Sequence, residues 1–254
     1  MTGEAVAGAA NPAGLWVVLP AAGRATRFGA ADDLPKQYRQ LAGRSVLEWS
    51  LAAMRALRPR AIVLAVAADD VRWRALPARL LEGVEVVQGG DDRASSVANG
   101  LAAIASRAAP DDWALVHDVA RPCVEVGDCR RLIAAVATHP VGGLLAVPVP
   151  DTVKRSAAPV LDDGTAAVDA TLPREGLWLA QTPQVFRHGR LVAALAAARA
   201  AGVAVTDEAS AIEFAGAQPL LVRGSQDNFK LTWAEDLARA AAVLGRRARQ
   251  VVPA

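Results

Sequence analysis

Short apolar runs alternate along the chain with longer stretches in which apolar residues recur every three or four positions. Residues 15–19, 62–67, 84–87, 113–116 and 144–149 read as strands. Residues 46–57, a segment running to about Arg107, and residues 127–138 read as the helices between them. Ser95 or Ser96 can cap the second of these. Residues 220–222 read as a late strand and 233–244 as a closing helix. Near-continuous apolar strands joined by helices predict an α/β fold: a Rossmann-like, mostly parallel sheet with helices on both faces. Such sheets bind ligands beyond the carboxyl ends of their strands. The polar, glycine-containing segments of this chain lie there, directly after the first, third and fourth of these strands.

Residues 150–176 break the alternation. They are rich in Asp, Pro, Gly and Thr, with a short alternating piece at 166–172. A segment too long for a simple connection predicts a protruding β-arm. With no repeat, low-complexity tail or linker, the expectation is one domain over residues 1–254, with 150–176 as its arm.

Composition narrows the picture. Hydrophobic residues are 53% but aromatics only 4%, so the core must be aliphatic and alanine-rich. A net charge of +2 is too small for a nucleic-acid binder. No stretch reaches the ~20 apolar residues of a membrane span. The residues up to Gly14 do not read as a signal peptide, and Cys123 and Cys129 match no zinc spacing, so free thiols and a cytoplasmic location are expected. Lysine occurs only at 36, 154 and 230 in a chain that otherwise uses arginine. A lysine is a compact, mobile point charge, unlike the planar arginine fork.

Candidate chemistry lies in four places. Pro20-Ala21-Ala22-Gly23 follows the first strand, with Arg27 and Lys36 beyond it. Small residues there let backbone N–H groups approach a polyphosphate, and Gly23 permits conformations that other residues resist. The absence of Gly-Lys-Ser/Thr excludes a P-loop, and the lack of a full G-x-G-x-x-G disfavours a dinucleotide site. Gly89-Gly90-Asp91-Asp92-Arg93, running on to Ser96, is a glycine turn before a helix N-terminus. His117-Asp118 ends the fourth strand, where the aspartate can hold Mg²⁺ or a substrate hydroxyl and His117 reads as a packing residue. Late in the chain, Asp151-Thr152 with Lys154-Arg155, Arg174, Thr182, Thr206-Asp207 and Lys230 supply cations, hydroxyls and a carboxylate. Thr206 and Asp207 can also cap a helix over 210–216.

In this order, over roughly Val17 to Leu237, these motifs resemble the 2-C-methyl-D-erythritol 4-phosphate cytidylyltransferase family. The resemblance implies transfer of CMP from CTP to a polyol phosphate, with release of pyrophosphate and with Mg²⁺ bound mainly through the CTP phosphates. It implies that Ala21, Ala22, Gly23, Gly90, Asp91 and Ser96 hold CTP. Arg27 and Lys36 would stabilise the triphosphate charge, and Arg174 and Lys230 would position the polyol phosphate. Asp118, Thr152, Thr182, Thr206 and Asp207 would lie around the substrate, and no residue is expected to be a dedicated metal ligand. A homodimer joined through the arm is implied, with Thr152 and Arg174 reaching the neighbour's pocket. The chain departs from the family at Ala25, where a second glycine is usual, at Val119, and in an Arg27–Lys36 spacing that looks two residues longer, placing a bulge near 31–33. Ribitol 5-phosphate cytidylyltransferase is the alternative; the Asp151–Arg155 and Thr206–Ser210 runs favour methylerythritol phosphate. The end at Ala254 leads us to expect no fusion to the later cyclodiphosphate synthase.

Overall fold

The computed structural model describes residues 14–23, 34–157 and 164–251. Arg27, Ala25 and the bulge expected near 31–33 therefore lie outside the described residues. In chain order the strands are β1 (Leu15–Pro20), the small pair β2 (Gln40–Leu41) and β3 (Arg44–Ser45), β4 (Ala61–Val66), β5 (Val84–Gln88) and β6 (Trp113–Val116). They continue with β7 (Gly142–Pro148), β8 (Val153–Ser156), β9 (Val168–Leu172), β10 (Trp178–Arg187) and β11 (Leu220–Arg223). The helices are α1 (Val46–Arg55), α2 (Ala78–Leu81), α3 (Arg93–Ile104), α4 (Val126–Ala137), α5 (His188–Ala200), α6 (Glu208–Phe214) and α7 (Asp236–Val251).

The main sheet has seven strands in the order β11-β7-β10-β6-β1-β4-β5. β10 runs antiparallel to both its neighbours, and the other pairings are parallel, so the sheet is mostly parallel. Alternate residues of β1 point to opposite faces, as the pleat requires. Leu15, Val17 and Leu19 join the buried residues of α1 and α4, while Trp16 and Val18 join those of α3, α5 and α6. Gly100 lets α3 lie close on β1, because a Cβ there would sit 2.5 Å from Val18 Cγ1. The chain turns from β1 to β4 and β5 on one side and to β6 on the other. The gap between β1 and β6 is therefore a topological switch point, where open α/β sheets bind ligands.

Three local readings differ from the structure. Asp92, rather than Ser95 or Ser96, caps α3: its Oδ1 accepts from the Ser95 N–H at 2.6 Å. Residues 178–187, in which no strand was read, form a long strand inside the sheet. Pro183 is tolerated there because the register with β7 shifts between Ala180 and Gln184, so no ladder bond is required of it. The alanine-rich α5 went unread because alanine blurs the helical period.

The 150–176 segment holds β8 and β9, paired antiparallel in their own two-stranded sheet. Arg155 donates to Asp169 at 2.6 Å and Lys154 to Thr171 at 2.6 Å, across this pair. Lys154 thus stitches the arm, far in role from the other two lysines.

Candidate active site

A cleft of about 280 Å³ opens at the switch point. Pro20, Ala21, Ala22 and Gly23 line it after β1, Gly90 to Arg93 and Ser96 after β5, and Asp118 to Ala120 after β6. Lys36, Gln37 and Lys230 close it. The two loops after β1 and β5 touch: a Cβ on Gly89 would lie 2.6 Å from the Ala22 Cβ. Gly23 needs no special freedom, since a Cβ there meets no described atom within 4 Å and its φ is not positive. Ser96 is buried and builds the turn: its hydroxyl donates to the Asp92 carbonyl at 2.8 Å and accepts from the Gly90 N–H at 3.1 Å.

Lys36 is set by its neighbours. Gln37 Nε2 donates to the Ala21 carbonyl at 3.0 Å, and the Tyr38 hydroxyl donates to Asp70 at 2.8 Å. Burial and that carboxylate push the Tyr38 phenol well above its ordinary pKa. The Lys36 ammonium donates to the Leu231 carbonyl at 3.0 Å, next to Lys230.

Asp118 is the centre of a buried charge chain. Its Oδ1 accepts from Arg93 Nε at 2.8 Å, and its Oδ2 pairs with Lys230 Nζ at 2.8 Å. Arg93 turns its other edge to Glu208 in a bidentate pair at 2.7 and 3.0 Å. Burial works against the Asp118 charge, but Arg93 and Lys230 outweigh it and hold the carboxyl below its usual range. Burial lifts Glu208 above the ordinary carboxylate value, against the pull of Arg93.

Behind Asp118, the hydroxyl of Thr182 accepts from the Asp118 N–H at 3.0 Å and lies 3.1 Å from His117 Nδ1. That hydroxyl can donate to Nδ1 or accept from it, according to the tautomer, and Nε2 is buried with no hydrogen-bond partner among the described residues. Burial pushes the His117 pKa down to about 4. A depressed folded pKa gives stability that is present above the unfolded value near 6.5 and is lost as pH falls toward about 4, on the order of 3 kcal/mol in all. Urea unfolding across that window should show a steeper loss for the parent than for His117→Asn. Equal slopes would mean that His117 titrates freely in the folded protein.

A second cleft of about 520 Å³ lies toward the arm and shares Lys230 with the first. Arg121, Thr152, Gln181 and Phe229 are among its lining residues. Arg121 donates to the carbonyls of Asn228 at 2.6 Å and Ala180 at 3.3 Å, and its Nε is buried with no hydrogen-bond partner.

The structure thus gathers Ala21, Ala22, Gly23, Lys36, Gly90, Asp91, Ser96, Asp118 and Lys230 around one cleft, with Thr182 directly behind it. Thr152 lines the second cleft. Arg174 lines neither and donates to the Pro150 carbonyl at the base of the arm. Thr206 and Asp207 also line neither cleft, because Asp207 caps α6 through Oδ1 and accepts from Gln184 through Oδ2. Arg93, Glu208, Gln37 and Arg121 were not singled out from the sequence. All four sit inside motifs that were noted, but their partnerships are visible only in the fold. Among the described residues no group of three or more His, Cys, Asp or Glu side chains is placed to hold a metal. Both Asp118 oxygens already face cations, so this donor set does not fit an ion held by the protein alone.

Comparison with known proteins gives a consistent result. The family model for IspD, 2-C-methyl-D-erythritol 4-phosphate cytidylyltransferase, matches residues 15–246. Proteins of that name from Chromobacterium violaceum and Pseudomonas aeruginosa are 50% and 49% identical, over 91% and 88% of this chain and 97% and 93% of theirs. The crystal structure of the Francisella tularensis protein of the same name superposes with a TM-score of 0.75 at 34% identity, covering 91% of this chain and 99% of that one. That of a 4-diphosphocytidyl-2C-methyl-D-erythritol synthase gives 0.75 at 36%, over 91% and 98%. These findings favour methylerythritol phosphate over the ribitol 5-phosphate alternative.

Proposed function

Because this chain belongs to the 2-C-methyl-D-erythritol 4-phosphate cytidylyltransferase family, and transfers CMP from CTP to that polyol phosphate, we propose that the cleft beyond β1, β5 and β6 holds CTP and that Lys230 marks where the two substrates meet. The observation behind this reading is that Lys230 lines both clefts, one with the glycine turns and the other with Arg121 and Thr152. A dianionic phosphate entering the second cleft would find the Lys230 ammonium and the Arg121 guanidinium together.

In the reaction, a phosphate oxygen of the polyol phosphate forms a bond to the α-phosphorus of CTP. The bond from that phosphorus to the oxygen bridging to the β-phosphate breaks in line, and pyrophosphate leaves. The attacking oxygen is already anionic, so no base is needed, which suits a His117 that burial keeps neutral. Two anions must meet, so the protein's task is charge neutralisation and positioning. We assign the first to Lys36 and Arg27. The backbone of Ala21 to Gly23 and of Gly90 and Asp91 holds the nucleotide, and Ser96 keeps the second turn in shape. Asp118, which lines the first cleft and pairs with Lys230, and Thr182, which holds the Asp118 backbone, serve the polyol phosphate through Lys230. Asp207 acts at one remove, by capping the helix from which Glu208 reaches Arg93. We place Mg²⁺ on the CTP phosphates rather than on the protein.

We further place the protein in the cytoplasm as a homodimer. Cys123 and Cys129 are free and buried, and no described helix is long and apolar enough to cross a membrane. An exposed two-stranded arm is marginal alone, and pairing it about a two-fold axis would satisfy its edges.

Pyrophosphate release with CTP or UTP and each polyol phosphate tests the site assignment. CTP should be used far better, because polar groups of the Gly90–Ser96 turn facing the wrong base edge would be left unpaired, at roughly 1 to 3 kcal/mol each. Equal turnover with UTP would show that this turn does not read the base.

A further inference from the structure

We propose that Arg93 and Glu208 are positioning residues for the polyol phosphate: the buried chain Glu208–Arg93–Asp118–Lys230 sets where the Lys230 ammonium rests. This rests on the reading above that Lys230 meets that phosphate. Glu208 is fully buried and Arg93 only 23% exposed at its side chain, whereas the Lys230 side chain is 42% exposed. The chain therefore runs from the buried interior to a partly exposed cation at the junction of the two clefts. Arg93 is the fork that makes this possible, since one edge takes both oxygens of Glu208 and Nε takes one oxygen of Asp118.

Each charge limits the next. Glu208 neutralises Arg93, so that Arg93 anchors Asp118 without cancelling it. Asp118, held by one oxygen, offers only the other to Lys230. Without Arg93, Asp118 would lose its anchor, and among the described residues its remaining ion pair would be with Lys230. The Lys230 ammonium, already 2.8 Å from Oδ2, would then face a carboxylate with less of its charge compensated and be released less readily to an incoming phosphate. CTP would feel this less: Arg93 lines that cleft but turns its Nε and both terminal nitrogens to Asp118 and Glu208, and the turns that would hold CTP are built from Gly90, Ser96 and Ala22.

A purely structural role makes a different forecast. Buried ion pairs can be replaced by apolar side chains of similar volume without loss of stability. If Arg93 and Glu208 serve only to satisfy one another, the double variant Arg93→Met/Glu208→Leu should regain parental activity. We expect it to fold and yet to lose at least about tenfold in kcat/KM for the polyol phosphate, with KM for CTP within about threefold of the parent. Arg93→Lys, which keeps the charge but cannot span both carboxylates, should show the same split and serves where the double variant does not fold. Parental kcat/KM for the polyol phosphate in either folded variant overturns the inference, as does an equal rise in both KM values. Lys230→Ala, assayed alongside, separates the two layers. If it is unimpaired, the reading of Lys230 fails; if it is impaired while the Arg93 variants are not, only this inference fails.

Discussion

Replacing Lys36 with alanine is expected to lower kcat about a hundredfold while CTP affinity stays within about threefold of the parent. The ammonium sits at the cleft mouth on a turn fixed from two sides, by Gln37 on the Ala21 carbonyl and by Tyr38 on Asp70. A cation held that firmly adds little to ground-state binding that the backbone turns cannot supply. It acts most strongly when charge moves from the α-phosphate onto the leaving pyrophosphate, because a preorganised charge needs no rearrangement at that moment. Losing one such group costs on the order of 3 kcal/mol in the barrier. Steady-state kinetics with a separate nucleotide-binding measurement checks the split. A catalytic constant within about threefold of the parent would remove Lys36 from the mechanism.

Mixing two inactive variants, Arg174→Ala and Lys36→Ala, should restore activity if subunits exchange. Arg174 lines neither cleft of its own chain and is held at the arm base by the Pro150 carbonyl, whereas Lys36 lines the first cleft of its own chain. If the arm carries Arg174 into the neighbouring site, a mixed dimer has one site with both defects and one with neither. At equal amounts about half of the dimers are mixed, so recovery approaches about a quarter of parental activity for independent sites. Thr152 lines a cleft that contains Lys230 of its own chain, so Thr152→Ala belongs in the same experiment. Recovery to the same level with Lys36→Ala places Thr152 across the interface, and no recovery places it in its own site. Exchange without any recovery for Arg174 would exclude a shared site.

Where the chain's pattern is local and strong, it was readable. β1, β4 and β6 are apolar runs buried on both faces, and β5 is a half-buried edge strand with three valines, so their boundaries emerge within a residue or so of the residues that form them. The glycine turns after β1 and β5 were legible for a similar reason: closely approaching loops tolerate few residue types, and Gly89 against Ala22 is one such approach. The capping of α6 by Asp207 is a nearest-turn interaction, and it too could be read from residue types alone.

The residues that hold the site together were not legible, because their partners are distant along the chain. Glu208 meets Arg93 across 115 positions, and Lys36 meets Leu231 across 195. No spacing rule connects such pairs; they become neighbours only once the elements that carry them are packed together. β10 was hidden for the same kind of reason. A proline in a strand is a local warning, and only the register shift opposite β7 removes its cost. Residue type and short-range periodicity thus determined the sheet, its polar edge and the cations available to it. Tertiary packing decided which carboxylate each cation faces, and so which side chains are buried and which, like that of Lys230, remain exposed.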